Sequence, residues 1–379
     1  MVHVVQVVAR MNVGGVECWL MDVLRRIDRD RFRFTFCTLS SEPGTFDDAI
    51  RELGGEMISC PVQGSRKRFV RRMRSVLDER DVDAVHSHLL FFSGNVLQAA
   101  AQSRVGIRVA HAHSTGDGHG NGLRRRAYRW LMRRLLLQHC THGIGCSTPA
   151  ATYLFGSQWA RQSNCSIVPC GIDPDAFRRP GNRAALLNAL KIPRDAIVVG
   201  HVGSFRAAKN HSFLLRVFSE MVAVEPRAHL LLVGDGALRG DIEATARASG
   251  IANQVTFAGI RHDVPLLMRY AIDLFVLPSV YEGLAVVLVQ AQAAGLPSLV
   301  SLAVSDEVVM IPDLVAFESL DAPPAQWARR GIDLLRAAPA NKDSAWRVVS
   351  ESRFNISASV GFLSNVYSGR DGPLRDVAP

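Results

Sequence analysis

The sequence predicts an α/β fold made of two doubly wound domains, each built on a parallel sheet. Short apolar, β-rich runs alternate with helical patterns along the whole chain, and such alternation produces βαβ units whose sheets are covered on both faces. At 379 residues the chain is too long for one compact core. A stretch rich in Pro, Gly and Asp, PCGIDPDAFRRPGN at residues 169–182, separates two series of strands and reads as the linker.

Six strands are expected before the linker, at residues 3–10, 32–39, 57–60, 84–88, 109–114 and 143–147. Five follow it, at 197–204, 229–233, 255–258, 274–278 and 297–301. Residues 345–368 are helical in pattern with no strand after them, so this end is free to pack back across the first domain.

Apolar residues make up 48% of the chain and charged ones 21%, which places it among globular proteins. No apolar run approaches the roughly 18 residues that a membrane span needs. The opening MVHVVQVVAR lacks a basic n-region and a signal-type h-region, and reads as a strand. Seven scattered cysteines with no CxxC pair suggest buried free thiols in a reducing, cytoplasmic compartment. Residues 1–170 hold 23 Lys/Arg against 14 Asp/Glu, whereas 171–379 hold 21 of each, so the net charge of +9 resides in the first half. From Gly118 to Ile172 there is no acid at all, which implies a negatively charged partner.

Taken in order, the first strand runs into Gly14–Gly15 ahead of a helix. There the backbone can approach an anion, although a tight turn without a ligand fits as well. The absence of GxGxxG argues against a dinucleotide site. His86 and His88, then His111 and His113, stand at strand carboxyl ends, where open α/β sheets bind ligands. Each pair alternates and so shares a face. A purely structural role remains open for each. Zinc is disfavoured because no Glu or Cys accompanies the pairs at ligand spacing.

After the linker, GSFRAAKN (203–210) places Arg206 and Lys209 in a turn that can clamp a diphosphate. Gly234–Asp235–Gly236 is a weaker turn of the same kind. The richest segment is LPSVYEGLAVVLVQAQAAGLPSLVS. In it a buried strand ends at Pro278, Glu282–Gly283 form the turn, and a helix starting near Leu284 stops at Gly295. The amides of Gly283, Leu284 and Ala285 are expected at the helix start, ready for a phosphate, with Glu282 beside them to bind polyol hydroxyls.

With these residues in view, the chain resembles the GT-B retaining glycosyltransferases of family four, notably their exopolysaccharide-assembly branch. The resemblance rests on the Gly14–Gly15 loop, HSH, AHAHST, VPCGID, VGSFRAAKNH, LLLVGDG, FAGIRHDV and YEGLAVVLVQAQAAGLP, in the family's order over nearly the full length. It implies two Rossmann-like domains facing each other across a cleft, 1–170 on the acceptor side and 171–350 for the donor. Residues 351–379 would form a helix crossing back to the first domain, and a tail. The implied reaction is retaining transfer from a nucleotide-diphosphate sugar, taken as UDP from family frequency, to a lipid-linked polysaccharide or glycolipid. No metal or other cofactor is implied.

On the same grounds Lys209, helped by Arg206, neutralises the diphosphate, and Glu282 holds sugar hydroxyls. His113 faces the transferred sugar, Gly15 lies near the phosphates, and Gly259, Ile260 and Arg261 meet the base. Two positions depart from the family pattern. Gln290 replaces the second glutamate, whose ribose contact an amide can still make, and Ser204 stands where an arginine is usual.

The basic first half also acquires a partner. Leu123, Ala127, Leu131 and Leu135 recur at helical spacing beside Trp130, among arginines that include Arg125, Arg126 and Arg129. With Arg68, Arg71 and Arg72 from the earlier cluster they fit an anionic membrane surface, at the inner face of the cell membrane. The alternative is a core-facing stripe with a solvated basic face. Nucleic acid is disfavoured because no aromatic platforms interleave with the arginines. Rival functions are a nucleotide-sugar 2-epimerase and a non-catalytic sugar-nucleotide-binding subunit.

Overall fold

The apolar runs of the sequence become the buried strands of two parallel sheets in the computed structural model, which describes residues 1–337 and 341–370. The chain divides into two units, Met1–Gly171 together with the segment from Ile356 onward, and Ile172–Asn355. Unit one contains β1 (Val2–Val8), β2 (Phe32–Thr38), β3 (Glu56–Ser59), β4 (Ala84–Ser87), β5 (Ile107–Ala112), β6 (His142–Gly145) and β7 (Cys165–Ile167), in the order β3-β2-β1-β4-β5-β6-β7. Unit two contains β8 (Ile197–Val202), β9 (Ala228–Val233), β10 (Val255–Gly259), β11 (Leu274–Leu277), β12 (Ser298–Ser301) and β13 (Val315–Glu318), in the order β10-β9-β8-β11-β12-β13.

Central strands such as β1, β9 and β11 are buried along nearly their whole length, as helices on both faces require. All eleven anticipated strands form, with ends shifted by a residue or two. The two that were not anticipated, β7 and β13, are short edge strands, CSI and VAFE, mostly half-buried and therefore without a continuous apolar run.

The terminal helical pattern is split in two. Helix Lys342–Ser350 ends where Asn355 Nδ2 donates to Ser350 O at 2.7 Å and the Phe354 amide donates to Ser352 Oγ at 3.1 Å. Side-chain bonds of this kind compete with the helix and stop it. Phe354 is buried in the core of unit two, and the Ile172 amide donates to its carbonyl at 2.7 Å, so the chain leaves unit two later than the expected residue 350. Helix Ile356–Tyr367 then packs on helix Gly15–Arg26 inside unit one, with Tyr367 buried edge-on to Phe32 and Phe34. The expected tail, 371–379, lies outside the described residues.

In both sheets the strand order reverses once, between β1 and β4 and between β8 and β11. Connections leave such a point in opposite directions, which opens a crevice at the strands' carboxyl ends.

Candidate functional site

In unit two that crevice receives the loop after β8. Ala207–Lys209 make a single 3-10 turn closed by Asn210 in the left-handed region, φ 55°, a conformation that Asn tolerates better than most residues. The loop rests on the turn after β9. The Gly203 amide donates to Val233 O and the Phe205 amide to Asp235 O, both at 2.9 Å. Gly234 has φ 135°, and a Cβ there would stand 2.1 Å from the Gly203 carbonyl oxygen. Gly234–Asp235–Gly236 is thus the seat of the Arg206–Lys209 loop.

The Val280 amide donates to Ala208 O at 2.8 Å, which ties the same loop to the segment after β11. There Lys209 Nζ donates to Glu282 Oε1 at 2.6 Å, and Ser279 Oγ donates to the same oxygen at 2.5 Å. The two charged side chains are only 15% and 14% exposed, so their attraction is weakly screened by solvent. Two residues read from separate motifs form one ion pair. Arg206 lies outside it, exposed, with Nε donating to Ser204 Oγ at 2.8 Å, so the serine that departs from the family pattern steadies the neighbouring arginine.

The helix after Glu282 starts at Val286, two residues later than the expected Leu284. The Val286 amide donates to Leu284 O at 2.8 Å, a tight turn that keeps Gly283, Leu284 and Ala285 out of the helix. Those three residues form the approach to the helix, and the first-turn amides begin at Val286. Gln290 is half-buried one turn into the helix, on the face of Val286 and Val287. Gly259 ends β10 with φ 65°. After it, Ile260 is 48% exposed and Arg261 makes a bidentate pair with Asp263 at 2.8 and 2.6 Å. Ile260, Arg261, His262 and Asp263 line a cavity of about 450 Å³ together with Ala176 and Arg179, a volume within the usual range for a small ligand.

In unit one, Gly15 opens helix Gly15–Arg26 at the crevice between β1 and β4, and a Cβ added to it would meet nothing within 4 Å. The four histidines gather into a single cluster in which His88 Nδ1 and His113 Nε2 are 2.9 Å apart. Burial pushes His113 down to about 3, and burial with neighbouring imidazoles holds His86, His88 and His111 well below the usual range. The expectation that no cysteine accompanies them is corrected. The fold brings Cys170 Sγ to 3.5 Å from His113 Nδ1, and the trios His86–His88–His111 and His111–His113–Cys170 each lie close enough together to hold an ion. Spacing in sequence missed this because Cys170 arrives after two further strands, β6 and β7, and the helices before them.

The arginine-rich helix Leu123–His139 divides its charges. Met132 and Leu136 are buried, and Arg133 donates to the carbonyls of Tyr153 and Leu154. Arg125 and Arg129 both turn to Asp117, at 2.8 and 2.7 Å, and leave the expected membrane surface. Burial alone would raise the Asp117 carboxyl, but Arg129 and Arg125 hold it well below the usual carboxylate range. The outward face keeps Leu123, Ala127, Trp130, Leu131 and Leu137, with Arg124, Arg126 and Arg134 also exposed. Arg68, Arg71 and Arg72 are exposed on helix Arg66–Asp78. Among the described residues no helix is long and apolar enough to cross a membrane. Among the described residues the seven cysteines form no disulfide, and four of them are buried and three partly so.

Sequence reasoning passed over Asp117, although it is the last acid before the acid-free stretch. It also passed over buried His201 and His211 beneath the Lys209 loop. Burial and Lys209 push His211 down to about 4.

Comparison with known proteins agrees with this geometry. Residues 13–176 match the family described as Glycosyltransferase Family 4, and residues 196–336 the family described as Glycosyl transferases group 1. The chain is 34% identical over 370 residues to the putative glycosyltransferase EpsF of Bacillus subtilis, covering 97% of this chain and 96% of that protein. It is 29% identical over 304 residues to the UDP-Gal:alpha-D-GlcNAc-diphosphoundecaprenol alpha-1,3-galactosyltransferase of Escherichia coli, covering 76% of each. Its fold is similar to that of Anabaena HepE in complex with UDP-glucose, with a TM-score of 0.81 at 19% identity over 97% of this chain and 100% of that one. By the two family matches and the full-length likeness to EpsF, the chain belongs to the group 1, family 4 glycosyltransferases and has their GT-B fold.

Proposed function

We propose that this glycosyltransferase is a retaining hexosyltransferase that moves a sugar from a UDP-sugar to a lipid-linked polysaccharide or glycolipid. The observation that carries the proposal is the Lys209–Glu282 pair at the β8–β11 crevice. An arriving diphosphate brings more negative charge than one carboxylate and competes for Lys209. Glu282 is then released to accept hydrogen bonds from the sugar hydroxyls. Arg206 adds a second cation, and the amides of Leu284 and Ala285, on the approach to the helix, offer donors to a phosphate oxygen. Charge from the two side chains lets the scheme run without a metal.

The cavity beside Ile260 and Arg261 suits the base, and Gln290 serves the ribose through its amide. In unit one, Gly15 leaves room for phosphates and His113 acts on the transferred sugar. Configuration is retained by front-face attack, with the leaving phosphate helping to deprotonate the acceptor. The donor assignment draws support from HepE, solved with UDP-glucose, and from the Escherichia coli relative, whose name gives UDP-Gal and a diphosphoundecaprenol acceptor. The outward face of helix Leu123–His139, with the exposed arginines of helix Arg66–Asp78, supports docking on an anionic membrane from the cytoplasmic side.

The test pairs binding with transfer. UDP-sugars should raise the melting temperature where GDP- and ADP-sugars do not. Labelled sugar should then pass into the lipid fraction of a membrane extract with its anomeric configuration kept, and Glu282→Ala should abolish transfer. No shift with any nucleotide sugar would remove the donor site, an inverted product would remove the retaining mechanism, and an epimer formed without acceptor would favour an epimerase.

A further inference from the structure

The histidine cluster of unit one is ordered by the sheet itself. β1, β4 and β5 are neighbours, Gln6 pairs in register with His86, and Ser87 pairs with Ala110, so His88 follows opposite His111. Gln6, His86, His88, His111 and His113 thus share one face. Trp19 stands edge-on over His111, with ring centres 5.2 Å apart.

Their hydrogen bonds form one continuous chain. Gln6 Nε2 donates to Tyr367 Oη at 2.9 Å, so the Tyr367 hydroxyl proton goes to His86 Nδ1 at 2.6 Å. Neutral His86 then carries its proton on Nε2 and donates to His111 Nδ1 at 3.2 Å. That leaves the His111 proton on Nε2, which is buried and without a partner among the described residues. In the other direction Gln6 Oε1 can only accept, so His88 Nε2 donates to it at 2.9 Å. The His88 Nδ1 lone pair receives the proton of His113 Nε2 at 2.9 Å, and His113 Nδ1 keeps a lone pair facing the Cys170 thiol at 3.5 Å. Burial keeps that thiol protonated.

A metal ion held by either trio would have to displace the hydrogen bonds that these ring nitrogens make with one another, and in the second trio the proton that burial keeps on Cys170. Each Nδ1 already receives an O–H, N–H or S–H in an unbroken series, so the directed chain is the better account of the cluster.

We propose that Gln6 is a positioning residue that sets the proton direction of this whole chain, so that His113 presents a lone pair at Nδ1, to accept from a hydroxyl, rather than an N–H. Tyrosine, thiol and imidazole can each reverse polarity in place, whereas the amide must turn end over end. Reversing Gln6 would move the proton of all four rings from Nε2 to Nδ1. His113 Nδ1 is the end of the chain and its partner there is a thiol, a weaker donor than a hydroxyl, which makes this the end that a ligand hydroxyl can take over from Cys170. The use of His113 rests on the glycosyltransferase reading above, whereas the tautomers do not.

The experiment is a long-range proton–nitrogen correlation spectrum of the full chain labelled with ¹⁵N-histidine, with single histidine substitutions for assignment. The expected result for the parent protein at pH 8 is four neutral rings, all protonated at Nε2. In Gln6→Glu the carboxylate accepts from both His88 and Tyr367. His86 and His111 should then switch to Nδ1–H while His88 and His113 stay as they were. Gln6→Leu, checked for folding by its melting temperature, should show mixed His113 tautomers and a kcat lower by about tenfold or more, a part of what a placed acid–base group contributes. Any of the four rings protonated at Nδ1 in the parent, or unchanged tautomers in Gln6→Glu, would overturn the assignment. So would stoichiometric zinc in the purified protein. Altered His113 tautomers with unaltered kcat would overturn the positioning role, and a parent that transfers no sugar would be a failure of the glycosyltransferase reading instead.

Discussion

Gln292 is a glutamine in the apolar helix Val286–Ala293, and nothing in its surroundings along the chain marks it. It is fully buried with both ends of its amide in use. Nε2 donates to Leu288 O at 3.2 Å and Val308 O at 2.8 Å, and Oε1 accepts the amides of Met310 and Ile311 at 2.8 and 3.0 Å. Gln292→Leu keeps the volume but strands two amides and a carbonyl, which should cost about 2 to 4 kcal/mol of unfolding free energy in urea titration; a loss below about 1 kcal/mol would mean that the loop rearranges to pair them. Lys209 and Glu282 differ in kind. Both are charged residues in glycine-containing turns directly after buried strands, so each was legible as a candidate for a ligand site. What the sequence could not show is that they bond to each other, because that contact depends on the Ala208–Val280 backbone bond between two loops. Lys209→Ala should lower kcat/KM for the nucleotide sugar by about 10²- to 10³-fold, the usual effect of removing one donor from a developing charge. A change below tenfold would shift that role to Arg206.

At the scale of elements, strands covered on both faces are continuous apolar runs and were all located. Of the four edge strands, β3 and β10 were located too, whereas the three- and four-residue β7 and β13 were not. The helix Leu123–His139 was recognised by its spacing, but the direction of its arginines was not, because Asp117 claims two of them from a preceding loop. The outward face that remains has Leu123 at 81% and Trp130 at 60% exposure, with Arg124, Arg126 and Arg134 exposed on the same helix. Apolar burial into the headgroup layer and attraction to anionic lipid both act on such a face. Trp130→Ser with Leu123→Ser should weaken sedimentation with phosphatidylglycerol-containing vesicles by about tenfold or more, and neutral vesicles should bind poorly throughout. Asp117→Asn instead should lower the melting temperature by loosening the loop held to Arg125 and Arg129. If the double serine variant binds vesicles as the parent does, the helix is an ordinary solvated surface.

For the molecule as a whole, the two units differ in what acid does to them. Unit one holds His3, His86, His88, His111, His113 and His139, all with depressed proton affinity through burial, whereas unit two holds His201, His211 and His229 in that state. Unfolded histidines titrate near 6.5. Above that value each of these groups is neutral in both states and stability is full. As the pH falls below it, the unfolded chain binds protons that the native one refuses, down to about 3 for His113 and about 4 for His211. Each such group removes up to about 1.4 kcal/mol per pH unit, so unit one loses at most roughly 8 kcal/mol per unit, twice the rate of unit two. Against an ordinary margin of about 5 to 15 kcal/mol, unit one should unfold first as pH drops from 6.5 towards 4. Asp117 does not blur this window, because its depressed carboxyl gives up stability only in stronger acid. Calorimetry at pH 7.5, 6 and 5 should show the first transition moving down faster than the second, and limited proteolysis at pH 5 should cut unit one before the segment Ile172–Asn355. A single transition that stays in place from pH 7.5 to 5 would show that the buried imidazoles are already protonated in the native state, and the neutral, directed chain of unit one would go with it.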